Sequence, residues 1–239
     1  IAPKGFKSFS IAIPEWVREK LFFRNSLKKH LKKSLGKQIT KNIYFSEHHY
    51  SHAASAYYPS PFKEATVLTV DGVGEWATTT IGYGNNGDLN LLREIHFPHS
   101  LGLLYSAFTQ YCGFRVNSGE YKLMGLAPYG KPVFKNVILE NLITKNNDKS
   151  FELNLDYFNF LGGFEMINRE FENLFDLPAR EAEQDISLHY CNVASSIQVV
   201  LEELLIELVN EAIKLTGVKN LVLAGGVALN CVANKKILE

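Results

Sequence analysis

The pattern of hydrophobic positions changes along the chain between the period of a strand and the period of a helix. The apolar, β-branched segment ATVLTVDG ends in Asp71-Gly72, which predicts a buried strand followed by a turn. The segments ATTTIGYG, NNGD and LNLLREI predict a hairpin, because NNGD supplies the turn residues. In KNIYFSEHH we expect a short strand that leads into a helix over residues 48–57.

Helical spacing of apolar residues recurs in three other segments. SLGLLYSAFTQYCG predicts a helix that ends near Gly113, and the pattern over residues 190–215 predicts a long packed helix capped by Thr216-Gly217. SLKKHLKKSLGKQ predicts an amphipathic helix whose leucines face inward, namely Leu27, Leu31 and Leu35. NLVLAGGVALN predicts a strand, a double-glycine turn and a new helix. Together these segments predict a mixed α/β fold.

Composition narrows the functional classes. The chain has 239 residues, 46% of them hydrophobic, and its 25 basic residues balance its 25 acidic ones, so neither a nucleic acid nor a membrane surface is indicated as a partner. Residues 1–41 are locally basic, which is typical of a solvated helix face. The three isolated cysteines indicate a reducing cytoplasm. No membrane span or signal peptide is expected.

The segment SEHHYSHAAS contains three histidines. His48 and His52 share one face of the predicted helix and can approach one ion, and Asp71 follows a strand end, where α/β folds place functional groups. Two imidazoles and a carboxylate suit Zn²⁺ or Fe²⁺. Such spacing is more often structural, however, and His49 points about 100° away from its neighbour, as expected for a polar contact on the helix flank.

Two glycine loops follow predicted strands. VDGVGEW contains Gly72 and Gly74, and LAGGVALN contains Gly225 and Gly226 at the start of a helix. Each loop can be a tight connection, but two of them at strand ends favour a phosphate-bearing ligand.

A third segment, SGEYKLMGLAPYGKP, places Lys122 among glycines and small residues. It is compatible with a loop that carries a solvated lysine and with a charged contact to a ligand, and the local sequence does not choose between them.

Four motifs in order, EHHYSHAASAYYPSPF, VLTVDGVGEW, GEYKLMGLAPYGKP and LVLAGGVALNCVANKK, resemble the NodU/CmcH-type O-carbamoyltransferases. The resemblance covers residues 40 to 239 and is thinner over 140–185. It implies the actin-like ATPase (ribonuclease H-like) fold, with mixed sheets flanked by helices, and a domain similar to the tRNA threonylcarbamoyl-transfer protein. It also implies that the chain is a fragment of a longer enzyme, because the family's opening strand, its further metal-binding aspartate and its downstream adenylate-forming domain are not in this sequence.

Within this resemblance the chain is part of the N-terminal carbamoyl-transfer domain. We expect a basic helical segment over 1–41, a metal and phosphate-loop subdomain over 42–135, an insertion over 140–185, and a long helix followed by a nucleotide-binding strand, loop and helix over 186–239. A homodimer is compatible with this organisation.

The resemblance also assigns roles to individual residues. It implies Fe²⁺ or Zn²⁺ with three ligands, His48, His52 and Asp71, and nucleotide contacts from Gly225, Gly226 and Asn230. Lys122 and Gly125 would lie near the carbamoyl group or a phosphate. His49 is a candidate general base for the acceptor hydroxyl, alongside groups outside the chain.

The implied reaction is carbamoylation of a hydroxyl. Carbamoyl phosphate and ATP give carbamoyl-adenylate and pyrophosphate, and the carbamoyl group passes to a hydroxyl-bearing small molecule or sugar. Two other functions remain open at this point. A phosphotransferase of the sugar- or acetate-kinase type needs an aspartate base rather than the histidine pair, and a non-catalytic nucleotide-binding fragment needs no metal.

Overall fold

A computed structural model describes residues 5–36 and 42–239. The chain divides into two compact units, Ile1–Ser46 with Asn159–Glu165, and Glu47–Phe158 with Met166–Glu239. Residues 1–4 and 37–41 of the predicted basic segment over 1–41 lie outside the described residues. Within the described part of the chain, no helix is both long enough and apolar enough to cross a membrane.

The smaller unit contains two helices joined by a π-helical turn. Helix α1 covers Phe6–Glu15, the turn covers Trp16–Lys20, and α2 covers Phe23–Leu35. The helix predicted from SLKKHLKKSLGKQ is confirmed, but its inward face is only partly so: Leu27 and Leu31 are half-buried, whereas Leu35 is 61% exposed in the last turn before Gly36.

The larger unit is built on a mixed sheet of four strands in the order β3-β2-β1-β6. The strands are β1 (Glu64–Val70), β2 (Ala77–Asn85), β3 (Asp88–His96) and β6 (Leu221–Ala224). Strand β1 pairs antiparallel with β2 and parallel with β6. Six of the seven residues of β1 are buried, as expected for a central strand covered on both faces. A separate hairpin joins β4 (Ile143–Lys145) to β5 (Phe151–Leu153).

The hairpin between β2 and β3 forms where the sequence predicts it. Asn86 and Gly87 occupy its turn with positive φ angles of 49° and 96°. A two-residue turn of this kind matches the twist of the paired strands and is favoured by Asn-Gly. The NNGD prediction is therefore confirmed.

The helices of the larger unit are, in chain order, α3 (His48–Tyr57), α4 (Leu101–Tyr111), α5 (Glu120–Leu126), α6 (Lys135–Asn141), α7 (Arg169–Asn173), α8 (Leu188–Thr216) and α9 (Cys231–Leu238). Helices α3 and α8 pack against the four-stranded sheet. Helix α3 packs on β1 and β6, and its Ala53 and Tyr57 belong to one buried apolar cluster with Val67 of β1 and Val222 of β6. The small side chain of Ala53 leaves room for the helix to lie close to the sheet.

Two further helix predictions are confirmed in their extent. Helix α8 ends at Gly217, which has a left-handed φ of 73°, and the chain reverses after α4 at Gly113, with a φ of 76°. Both glycines adopt the left-handed conformation in which L side chains are strained. The described structure thus has the mixed α/β architecture, a sheet flanked by helices, that the sequence predicts.

One local prediction is wrong. Residues 42–47 form no strand, and Tyr44 is 85% exposed there. The segment over 118–132, whose conformation the sequence left open, forms α5 followed by a 3₁₀ turn over Ala127–Tyr129. The strand, double-glycine turn and helix predicted from NLVLAGGVALN are confirmed, with a 3₁₀ turn over Gly226–Leu229 before α9 begins at Cys231.

Candidate metal and nucleotide site

Helix α3 places His48 and His52 one turn apart, and their Nε2 atoms lie 3.0 Å from each other. The Glu47 side chain at the N-cap makes no capping hydrogen bond to this helix. Instead the Glu75 carboxylate accepts a hydrogen bond from the His48 backbone N–H, at 2.9 and 3.2 Å from its two oxygens. This contact lowers the pKa of Glu75 and fixes the start of the helix that carries both histidines.

Asp71 directly follows β1, and its two carboxylate oxygens have different partners. Its Oδ2 lies 2.7 Å from His48 Nε2 and 2.9 Å from His52 Nε2. Its Oδ1 accepts hydrogen bonds from the backbone N–H groups of Gly72 and Gly226, at 2.8 and 3.2 Å. Burial acts to raise the pKa of Asp71, but the hydrogen bonds from His48 and the two glycines outweigh it and hold the pKa below its usual range.

The donor chemistry of this cluster fits a cation. One ligand atom from each of His48, His52 and Asp71 lies within 4.8 Å of the others. If both imidazole rings donate a hydrogen bond from Nε2 to the carboxylate, the 3.0 Å contact between the two Nε2 atoms brings two N–H groups together. If one Nε2 instead donates to the other, the lone pair of the accepting Nε2 faces the carboxylate oxygen. Both arrangements are repulsive. A bound cation removes this conflict, because all three atoms can then offer lone pairs to it.

The distances within the cluster agree with that conclusion. The three donor atoms are separated by 2.7, 2.9 and 3.0 Å. Neighbouring ligands of an octahedral ion with bonds of about 2.1 Å lie about 3.0 Å apart. The predicted ligands are thus brought together by the fold, although their role in metal binding stays a prediction.

His49, the candidate base, is buried at 3% exposure. Its Nδ1 lies 2.6 Å from Thr69 Oγ1, which in turn lies 2.7 Å from Thr80 Oγ1. Its Nε2 is buried and makes no hydrogen bond of normal geometry with a described residue. Burial, and then the nearby His48, lower its pKa more than Asp71 raises it, so the ring is neutral near pH 7. These contacts bind α3 to the sheet and leave His49 outside the walls of the cavity described next.

A cavity of about 380 Å³ opens beside the cluster of His48, His52 and Asp71. Asp71 belongs to its wall, so one of the three candidate metal ligands borders the space in which a ligand would lie. Backbone of the two glycine loops forms one side, and aromatic and aliphatic side chains form much of the rest, among them Tyr105, Tyr121, Met124, Leu201 and Leu229. Mostly apolar walls with a few fixed polar groups are typical of sites for small organic ligands.

The four glycines of the predicted phosphate loops have different positions. Gly72 and Gly226 line the cavity, but their N–H groups already donate to Asp71. Gly74 packs against α3, where an added Cβ would lie 2.8 Å from His49 Cδ2. Gly225 has a φ of 97° and allows β1 to approach, since an added Cβ would lie 2.2 Å from the Val70 carbonyl oxygen. Two of these glycines therefore shape the loops, and two border the ligand space.

Asn230 lines the cavity, whereas Lys122 does not. Asn230 is 8% exposed, and its side chain accepts a hydrogen bond from the Ala233 N–H at the start of α9. Lys122 is exposed on α5 and is not among the described residues that border the cavity; its neighbours Glu120 and Tyr121 are. Gly125 is also exposed, with open space around it. The structure thus brings Asn230, but not Lys122 or Gly125, to the site.

Sequence reasoning missed two residues that support this site. For Glu75, which caps α3, the sequence offered one signal: the residue lies in VDGVGEW, two positions before the start of β2. Ser100 had only its N-cap position before a predicted helix. Its hydroxyl lies 3.1 and 2.6 Å from the carbonyl oxygens of Asp71 and Gly72, so it ties α4 to the loop that carries the carboxylate.

Comparison with known proteins adds the family. All of residues 1–239 match the family model described as Carbamoyltransferase N-terminus. The chain is 53% identical to the uncharacterized protein sll1178 of Synechocystis sp., over all of this chain and 39% of that protein. It is 33% identical to Nodulation protein NolNO of Sinorhizobium fredii, over 82% of this chain and 27% of that protein. With Nodulation protein NolO of Bradyrhizobium diazoefficiens it shares 31% identity, over 80% of this chain and 33% of that protein.

Two conclusions follow from these matches. The chain spans 27% to 39% of the length of these relatives, so it corresponds to one part of a longer protein in each of them. Because one family model matches the chain from residue 1 to residue 239, the chain belongs to the carbamoyltransferase family and corresponds to its N-terminal part.

Proposed function

We propose that this domain binds a carbamoyl-adenylate and transfers its carbamoyl group to a hydroxyl of an acceptor molecule. The observation that carries this proposal is the position of Asp71. It belongs both to the three-residue cluster with His48 and His52 and to the wall of the 380 Å³ cavity. A group bound against Asp71 in the cavity would therefore lie next to one of the three candidate metal ligands. Family membership supplies the class of reaction.

The reaction has two stages. Carbamoyl phosphate, ATP and water give carbamoyl-adenylate, pyrophosphate and phosphate, and we assign this activation to a part of the protein outside this chain. In the transfer, a bond forms between the acceptor oxygen and the carbamoyl carbon, while the bond from that carbon to the phosphate oxygen breaks. AMP leaves, and the hydroxyl proton passes to a base. The burial of His49 favours a base other than this residue.

The described residues would divide the work as follows. His48, His52 and Asp71 would hold Fe²⁺ or Zn²⁺, which supplies a Lewis acid when bound. Apolar side chains such as Tyr105 and Leu229 offer surface to an adenine ring. Since the Gly72 and Gly226 N–H groups hold Asp71, phosphate oxygens would be bound by other groups of the cavity.

The fold assignment belongs to the same proposal. The mixed sheet β3-β2-β1-β6 is compatible with the actin-like ATPase fold that the sequence motifs imply. In open α/β sheets, ligands bind beyond the carboxyl ends of the strands. Asp71 follows β1 and Gly225 follows β6, and these strands are parallel neighbours. Both glycine loops therefore lie at one edge of the sheet, where a nucleotide is expected.

The test uses the full-length protein with carbamoyl phosphate, ATP and a panel of sugars and other alcohols. Mass spectrometry should detect an acceptor that has gained a carbamoyl group, together with AMP and pyrophosphate. Replacing both ligands, His48→Ala with His52→Ala, should abolish transfer and lower the metal content, whereas His30→Ala, an exposed histidine of α2, should change neither. ADP with a phosphorylated acceptor would instead identify a phosphotransferase, and unchanged metal and transfer in the double variant would refute the proposal.

A further inference from the structure

A buried amide lies directly behind the cavity wall. Gln198 of α8 is 4% exposed and makes four hydrogen bonds. Its Oε1 accepts from the Tyr105 hydroxyl at 2.9 Å and from Asn230 Nδ2 at 3.0 Å. Its Nε2 donates to Glu202 Oε1 at 2.9 Å and to Asn230 Oδ1 at 3.1 Å. Both hydrogens and both lone pairs of the amide are therefore used.

The direction of this amide is fixed by its neighbours. An ionised carboxylate only accepts hydrogen bonds, so the amide nitrogen of Gln198 must face Glu202. The amide oxygen then faces Tyr105 and the amide nitrogen of Asn230. Reversing either amide would place two acceptors or two donors against each other in a buried setting, which is costly.

This arrangement determines what the cavity offers to a ligand. Asn230 Oδ1 already accepts from Gln198 and from the Ala233 N–H, and one Nδ2 hydrogen is donated to Gln198. The second Nδ2 hydrogen of Asn230 makes no hydrogen bond of normal geometry with a described residue, although Asn230 lies close enough to the Tyr105 hydroxyl to oppose the rise in its pKa that burial causes. The Tyr105 hydrogen is also donated to Gln198, so the remaining capacity of its hydroxyl is as an acceptor. Both residues line the cavity, and Gln198 does not.

We propose that Gln198 is a positioning residue, which holds the N–H of Asn230 as a donor and the oxygen of Tyr105 as an acceptor toward the bound ligand. The ligand group at this wall then carries a hydrogen-bond acceptor next to a donor, as the base and the ribose of a nucleotide both do. This inference rests on the proposed function, since it takes a nucleotide as the occupant. It assigns Gln198 no contact with the ligand.

The test is a double-mutant cycle on the full-length protein, with calorimetry of the binding of AMP, the leaving group of the transfer assigned to this domain. Gln198→Met keeps the volume and removes the amide, and Asn230→Ala removes the donor. Each should weaken AMP binding about tenfold, the size expected for one lost hydrogen bond in a buried site. The double variant should be weaker than Asn230→Ala by clearly less than tenfold, because Gln198 acts partly through Asn230 and partly through Tyr105. Effects that multiply to about a hundredfold would overturn the proposal.

Two further variants separate positioning from general loss of structure. Glu202→Gln retains an acceptor for the Gln198 amide and should leave the affinity for AMP within about threefold of the wild type. Tyr105→Phe removes only a hydroxyl and is a second probe if Gln198→Met does not fold. It should weaken AMP binding and leave the KM for carbamoyl phosphate unchanged, because carbamoyl phosphate reacts in the part of the protein outside this chain. An unchanged affinity for AMP in Tyr105→Phe would contradict the assignment of Tyr105.

The outcomes also distinguish this inference from the proposed function. If the wild-type protein does not bind AMP, the nucleotide site itself is wrong and both proposals fail. If the wild type binds AMP and Gln198→Met binds it equally well, the positioning role alone is refuted. Thermal unfolding of each variant should show a folded protein before its affinity is compared.

Discussion

Replacement of Asp71 by asparagine separates metal binding from folding. The amide oxygen of the new side chain can accept from the Gly72 and Gly226 N–H groups, as Oδ1 does at 2.8 and 3.2 Å. Its NH₂ group then faces the Nε2 atoms of His48 and His52, at the position where Oδ2 lies 2.7 and 2.9 Å away, and both rings can accept a hydrogen bond. We therefore expect Asp71→Asn to fold and to lose its metal.

The expected loss of metal affinity in Asp71→Asn follows from the place of this carboxylate in the cluster. Removing a residue that merely supports a metal ligand lowers affinity about 10- to 100-fold, so loss of the carboxylate itself should lower it at least about 100-fold. At a metal concentration about 100 times the wild-type Kd, bound metal stabilises the folded protein by about 2.7 kcal/mol. A variant with a 100-fold higher Kd retains about 0.4 kcal/mol under the same conditions. The metal-dependent stabilisation should therefore fall by about 2.3 kcal/mol.

The assay compares metal-free and metal-loaded protein. Chelator-treated full-length protein is dialysed against Zn²⁺, or against Fe²⁺ without oxygen, and its metal content and unfolding midpoint are measured. Asp88→Asn makes the same chemical change at an exposed carboxylate at the start of β3 and should behave as the wild type. Wild-type metal affinity in Asp71→Asn would refute the reasoning, and so would an equal drop in the midpoint with and without metal, since this identifies Asp71 as a structural residue only.

Substitutions at His49, Glu75 and Gly225 test the surroundings of the cluster. The pKa of His49 is lowered in the folded protein, so its contribution to stability is present above pH about 6.5 and is lost as the pH falls. Between pH 8 and 5.5, metal-free His49→Gln should therefore lose less stability than the metal-free wild type. An equal loss of stability in the two proteins would contradict this. Glu75→Ala removes the side chain that caps α3, so it should weaken metal binding and lower the unfolding midpoint. Glu75→Gln can still accept a hydrogen bond from the His48 N–H, so its metal affinity and unfolding midpoint should fall less. Identical results for the two variants would exclude a capping role. Gly225→Ala should destabilise the protein by about 1–3 kcal/mol or more, because of its φ of 97° and the close contact of the new Cβ with Val70. Gly125→Ala, where the new Cβ meets open space, should not destabilise it. Denaturant unfolding compares the two variants, and equal stability would refute the argument from strain.

The elements that could be predicted are those whose signal is local. Strand β1 and helix α8 have long periodic patterns, and the turn at Asn86-Gly87 has a specific backbone requirement. The extended segment before α3 failed as a strand for a non-local reason, since a strand needs a neighbour that the segment itself does not encode. The prediction that Leu35 faces inward failed for the same kind of reason, because the burial of Leu35 at the exposed end of α2 depends on what packs against the helix.

The candidate site follows the same division. Helical spacing placed His48 and His52 on one face, and the end of an apolar strand placed Asp71, so both parts of the cluster were visible in the sequence. Their approach to within 3.0 Å depends on how α3 packs on β1, which no local pattern reports. Gln198 shows the limit most clearly: within a long apolar helix it looks like an ordinary polar position, and only its distances to Tyr105 and Asn230 reveal its contacts.

Asp71 connects the parts of this site that the sequence displays as separate motifs. Its Oδ2 lies between the two histidines of α3, and its Oδ1 is held by the N–H groups of both glycine loops. The loop containing Gly226 borders the cavity and leads to Asn230. A shift of that loop on nucleotide binding would therefore change a hydrogen bond to a candidate metal ligand, and by linkage a metal at the cluster would change the affinity for the nucleotide equally. The metal and nucleotide affinities of this domain should consequently be measured together.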